Sequence, residues 1–268
     1  TNPEKKNYDN FLTRLPQLIK IYDKLDCNYA THIYDIKATI ESDHENKHIK
    51  VELKGFSDGS IYYTIDGSEP SEKSIKFTEP ILIDKTLTLK AVSIYPNKKK
   101  SKMYSRSFDI NKATFKPIIL TTNPVDKYTF GGAPVLVDGI KGSDVFRDGT
   151  WIGFRSKDVE AIVDLQSETE ISSVKVGNFV DVESHIFGAT TLWVAGSTDG
   201  VMYDKLAERT FFETAKGFPA QRVNFEAKFD IKKVRYVKVI VAGPQKMPEW
   251  SSGRGELPFL FIDEIQMN

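Results

Sequence analysis

Two adjacent acidic residues stand near the end of the chain, Asp263 and Glu264 in FLFIDEIQ. Paired carboxyl groups hydrolyse glycosides and esters when both face one reacting centre and their surroundings push their pKa values apart. Adjacency supplies neither condition. In a regular strand consecutive side chains point to opposite faces, so this pair is expected not to meet one substrate. Other residues with chemical capacity are sparse. A single cysteine, Cys27, excludes an internal disulfide framework and any cysteine-built metal cluster. Of the four histidines, His32, His44, His48 and His185, only His44 and His48 are close in sequence. They precede an alternating strand, are expected in a turn, and lack a third ligand at metal spacing. Asp199-Gly200 in GSTDGVMY reads as a hairpin turn without chemistry. The sequence carries no phosphate-binding loop, nucleotide fingerprint or Ser-His-Asp arrangement.

The elements that must position such residues are mostly strands. Lys plus Arg (37) equals Asp plus Glu (37), so no net field draws the chain to nucleic acid or an anionic membrane. Hydrophobic residues make up 40% and aromatic residues 12%, the content of a folded, aromatic-rich protein. No apolar run approaches the ~20 residues of a membrane helix. The N-terminal TNPEKKNYDN lacks the zones of a signal peptide.

Three segments follow different patterns. In residues 8–25, Tyr8, Phe11, Leu12, Leu15, Leu18, Ile19, Tyr22 and Leu25 form one helical stripe, with Pro16 expected to bend the helix or mark a late start. From about Ile36 the period becomes two: Ile49, Val51 and Leu53 alternate with polar residues, as do Ile61, Tyr63 and Ile65. About six short strands in roughly 80 residues predict a small immunoglobulin-like sandwich. The lysine run NKKKSK reads as a solvated hairpin tip. After the linker KATFKPIILTTNPVDKY come EAIVDL, ISSVKVGNF, TTLWVAGSTDG, QRVNFEAKF, VRYVKVIVAG and FLFIDEIQ. These predict a larger β-sandwich or jelly roll whose long loops carry any binding function.

Three stretches resemble known families. YYTIDGSEPS and TLTLKAVSIY resemble the small sandwich that follows the catalytic barrel in bacterial β-N-acetylhexosaminidases, or chitobiases. LVDGIKGSDVFRDGTWIGF, VAGSTDGVMYDKL and LPFLFIDEIQ resemble a discoidin domain, also called a factor V/VIII type C domain, the fold of a large family of carbohydrate-binding modules. FLTRLPQLIKIYDKLDCNYATHIYD resembles the last helix and exit segment of the hexosaminidase barrel. Together they look like the C-terminal part of a glycoside hydrolase family 20 enzyme. The implied fold is mostly β, with barrel-derived residues 1–35, an immunoglobulin-like sandwich over 36–112 and a discoidin-like jelly roll over 113–268.

That resemblance implies a non-catalytic accessory region. The family's acid pair sits in a His-x-Gly-Gly-Asp-Glu motif, and Phe-Ile-Asp-Glu-Ile lacks its His and paired glycines. Many discoidin-like modules hold a structural calcium, and Asp138 and Glu264 match its two acidic positions, with Asp144 able to assist. For a sugar site, the loops offer Arg147, His185, Phe187 and Trp250, whereas Trp151 and Phe154 are expected in the core. Trp193, between core-facing Leu192 and Val194, is expected on the outer face as an interface residue against the small sandwich or the N-terminal helix. The implied partners are glycans bearing N-acetylhexosamine or galactose and the catalytic barrel in cis, with no nucleic acid and no membrane span. The competing readings are a purely structural buttress and a protein–protein adhesion module. The single cysteine precludes the disulfide that joins the ends of many animal discoidin domains, so the implied source is bacterial. The implied parent is periplasmic, cell-surface or extracellular.

Overall fold

A computed structural model describes residues 7–25, 27, 29, 32–56, 58–96, 98–155 and 158–268. The chain is mostly β and divides into two compact units, one of residues 1–39, 51–81 and 87–106, the other of 40–50, 82–86 and 107–268.

In the first unit, helix α1 (Tyr8–Lys24) begins at Asn7, whose Oδ1 accepts the Asn10 amide at 2.9 Å and so satisfies one of the free N-terminal donors. It runs unbroken through Pro16. The expected stripe divides: Ile19 and Leu15 pack with Tyr34 and Tyr95, while Phe11, Leu18 and Leu25 are exposed together with Ile21. The side chains of Tyr8 and Leu12 lie outside the described residues. Strands β3 (Ser60–Thr64), β4 (Ile75–Lys76), β6 (Leu87–Ile94) and β7 (Tyr104–Phe108) form a sheet in the order β4-β3-β6-β7. A second sheet, β1-β2-β5, joins Lys37–Asp43, His48–Lys54 and Ile81–Ile83. Lys98 of the lysine run is exposed and pairs with exposed Glu72, as a solvated tip would.

The second unit contains β8 (Ile118–Leu120), β9 (Ile152–Phe154), β10 (Asp158–Val180), β11 (Thr191–Ser197), β12 (Asp204–Thr210), β13 (Gln221–Ala242) and β14 (Leu260–Met267). EAIVDL and ISSVKVGNF, expected as separate strands, are the two halves of β10; QRVNFEAKF and VRYVKVIVAG are the halves of β13. These long strands pair antiparallel, and their ladder breaks between Asp164 and Thr169 and again between Ile171 and Ser173. Those breaks mark a corner. On one side β8 and β11 flank the pair, with β12 beyond β11; on the other, β14 and then β9 extend it. The continuous sheet thus folds into two layers. Val159, Ala161, Val163, Val194 and Val239 from one layer share a core with Val174, Val176, Phe225, Ile262 and Ile265 from the other. At the corner, Arg235 donates through Nε and Nη2 to both Asp164 oxygens at 2.9 and 3.0 Å.

Candidate binding site at the loop end of the sandwich

The loops 181–190, 211–220 and 243–259 gather where β10 ends and β13 and β14 begin. After β10, Asp181 accepts the Ser184 amide and caps a 3-10 turn, Val182–Ser184. His185 closes the turn at φ 60°, a left-handed conformation that a residue with a Cβ adopts only when its surroundings impose it. Here the His185 carbonyl accepts the Phe259 amide at 2.9 Å, and the Phe187 amide donates to the Phe259 carbonyl at 3.0 Å. The backbone is thereby stitched to the 243–259 loop. His185 Nε2 and Ser252 Oγ are 2.8 Å apart.

Three of the four expected sugar residues come together here. Trp250 is half-buried, with its ring 5.8 Å from that of Phe187 at an interplanar angle of 36°. Phe187 itself is a correction: it is 1% exposed and packs with Val180, Val182 and Met247, so its face is closed to a ligand and serves as the floor beneath Trp250. Arg147 lies elsewhere, exposed, with its guanidinium carbon 4.8 Å from the centre of the Phe146 ring. Phe146 belongs to a separate aromatic cluster with Tyr128, Phe179 and Phe261. Trp151 and Phe154 are fully buried, as expected of core residues. Trp193 is half-buried, in register with Glu208 on one side and Ile240 on the other. His44 packs edge-on against Phe115, and burial lowers its pKa. A cavity of about 440 Å³ lined by Asp199, Lys205, Lys232 and Lys233 contains none of the expected site residues.

The carboxyl pair departs from the expected alternation. Val176 pairs with Ile265 but Asn178 with Ile262, so Gly177 alone opposes both Asp263 and Glu264. This β-bulge turns both side chains toward the 138–142 loop. Asp263 Oδ2 accepts from Arg222 Nε at 2.5 Å and from the Gly142 amide at 2.7 Å; Glu264 accepts from the Gly139 amide at 3.2 Å. Both acids are 0% exposed. They share a face after all, but that face is sealed from any substrate.

Asp138, 8% exposed, is hydrogen-bonded to Glu264 through its side chain and accepts the Ile140 amide at 2.7 Å. Burial first, then the neighbouring Asp138 and Asp263, push the Glu264 carboxyl well above the usual carboxylate range. The expected calcium partners thus meet, with loop amides donating to Asp138 Oδ1 and to both Glu264 oxygens. Asp144 is exposed, and among the described residues no three His, Cys, Asp or Glu side chains converge on a metal position. The side chains that meet here supply two carboxylates toward the six to eight oxygens that calcium takes.

Sequence reasoning did not single out Ser252, Arg222, Gly177 or Phe212. The first three act through partners distant in sequence. Phe212 carried a local signal, as one of two consecutive phenylalanines in the loop FFETAKGFP.

The family described as Fn3 associated matches residues 51–108. Among solved structures, the chain is similar to chitosan-binding module 1 from the chitosanase/glucanase of Paenibacillus sp. IK-5, at 15% identity over 59% of this chain and 98% of that one, with a TM-score of 0.37. It is similar to the lectin domain of lectinolysin complexed with Lewis B antigen, at 19% identity over 59% and 95%, TM-score 0.40. It is also similar to CpGH89CBM32-5 from Clostridium perfringens, in complex with GalNAc-β-1,3-galactose, at 17% identity over 56% and 93%, TM-score 0.39. No curated protein matches the chain.

Proposed function

We propose that the second unit is a non-catalytic carbohydrate-binding module whose 181–190 and 243–259 loops take the terminus of a glycan. Trp250 carries this reading. Its half-exposed indole is held over a buried phenylalanine, and the His185–Ser252 hydrogen bond lies on the same pair of loops. A fixed aromatic face accepts the C–H face of a pyranose, while an imidazole and a hydroxyl can exchange hydrogen bonds with its hydroxyls. The resemblance to the discoidin-like modules of hexosaminidases suggests N-acetylhexosamine- or galactose-bearing ligands. By the same resemblance, the parent is a bacterial β-N-acetylhexosaminidase acting in the periplasm, at the cell surface or outside the cell. This chain would support its barrel in cis. Asp263 and Glu264 take no part in hydrolysis, being sealed beneath the 138–142 loop.

A second reading is a buttress without a ligand, favoured by the exposed Phe11, Leu18, Ile21 and Leu25, which a barrel would cover. A glycan array followed by calorimetry separates the two. Sugar-competed binding lost in Trp250→Ala and His185→Ala supports the module; a blank array at high protein concentration supports the buttress.

A further inference from the structure

We infer that Phe212 is a second saccharide-stacking residue, so that the site takes at least two adjoining sugar rings. The inference rests on the carbohydrate reading above and extends it from a terminal sugar to an oligosaccharide. Phe212 is fully exposed, at 101% of the reference area, and is the most exposed of the large hydrophobic residues described. A phenylalanine in that state gains nothing from burial in its own fold.

The chain is tethered on both sides of it, through the backbone before and a side chain beyond. Before it, the Phe211 amide donates to the Thr190 carbonyl at 2.8 Å, and the Phe211 ring packs edge-on against Phe225 at 4.7 Å. Beyond it, Thr214 Oγ1 accepts the Gly188 amide at 3.0 Å. Further along, Phe218 packs into the cluster that contains Phe187 and Trp250. Phe212 is therefore tethered to residues 188–190, directly after His185 and Phe187, while its ring remains in solvent. Fixing the backbone beforehand lowers the ordering cost of binding. Two rings on adjoining loops, Trp250 partly covered and Phe212 open, suit an extended ligand whose apolar sugar faces stack in succession. Exposed Glu213 and Lys216 on the same loop offer polar ends for the intervening hydroxyls.

The test uses the full chain and calorimetric titration with mono-, di- and trisaccharides terminating in N-acetylglucosamine, N-acetylgalactosamine or galactose. The expected result is a disaccharide bound about fivefold or more tightly than its monosaccharide, with that ratio collapsing in Phe212→Ala and Phe212→Leu and kept in Phe212→Tyr. Thermal unfolding should be the same for all variants, since the side chain contacts solvent. A Phe212→Ala variant with the wild-type ratio overturns the inference alone, provided that binding remains sensitive to Trp250→Ala. A wild-type chain that binds none of these sugars overturns the carbohydrate reading and this inference with it.

Discussion

Gly177 and Asp263 face each other across β10 and β14, and a Cβ on the glycine would overlap the Asp263 Oδ1 atom and the Arg222 guanidinium. The relationship accounts for the bulge. Two consecutive acids can occupy one face of a sheet only where the opposing strand yields volume, and Gly177 yields it. Arg222, itself 16% exposed, then neutralises Asp263, and the Gly142 amide completes its partners. The acids that look like catalytic machinery in the sequence fasten the 138–142 loop to the sheet.

Replacing Gly177 with alanine should therefore destabilise the second unit by about 3 kcal/mol, combining overpacking with displacement of a buried ion pair. Urea midpoints of the variant and the wild type measure this directly. A loss below about 0.5 kcal/mol would mean that Asp263 and Arg222 can separate at little cost.

Glu264→Gln should be nearly neutral at pH 5, within about 1 kcal/mol, because glutamine reproduces the shape and hydrogen bonding of a protonated glutamate. The pH dependence gives the sign. A carboxyl whose folded pKa is raised contributes its full stability below the unfolded value of about 4.3 and loses it as pH rises toward the folded value. Wild-type stability should fall relative to Glu264→Gln between pH 5 and pH 8, as read from urea midpoints. Calcium and chelator should leave both proteins unchanged; calcium that stabilises the wild type at pH 8 and not the variant would restore a metal to Asp138 and Glu264.

Asp164 shows the opposite behaviour. Hydrogen bonding to Arg235 holds its carboxyl below the ordinary value, so its contribution is present above an unfolded pKa of about 3.9 and is lost as pH falls through the lower folded one. Asp164→Asn should lower the urea midpoint at pH 7, and the gap should close progressively below pH 4. A gap independent of pH would assign the effect to packing at the corner rather than to charge.

Local alternation made the strands legible: Ile49, Val51 and Leu53 alternate with polar residues in the sequence and are all buried. That β10 and β13 each span both layers was not legible, because Asp164–Thr169 looks like a loop between strands. There, Gln166 at φ 69° and the Arg235–Asp164 pair turn a continuous ladder through a corner. The shared face of Asp263 and Glu264 was hidden for a related reason, since it depends on Gly177 in another strand. The meeting of Asp138 with Glu264 could be anticipated only through resemblance. Periodicity does not extend into the loops, so it could not show that Phe187 points inward while Trp250 remains partly open.

That last contrast gives a prediction that separates floor from platform. Phe187→Ala removes a side chain with 1% exposure from the cluster of Val180, Val182 and Met247 and should cost about 3–5 kcal/mol in urea unfolding. Trp250→Ala removes a half-buried ring from the surface of the same cluster and should cost less, about 1–2 kcal/mol. Binding should rank them in reverse at a temperature where both remain folded. Trp250→Ala should abolish detectable saccharide binding, whereas the milder Phe187→Leu should retain it within about threefold, because leucine still supports the indole from below. Calorimetry with the tightest-binding oligosaccharide measures the binding order, and urea unfolding the stability order. If Phe187→Leu and Trp250→Ala lose binding equally while both stay folded, the ligand reads the shape of the whole cluster rather than the indole face. The contact surface would then have to include the buried floor, opened by movement of the 243–259 loop.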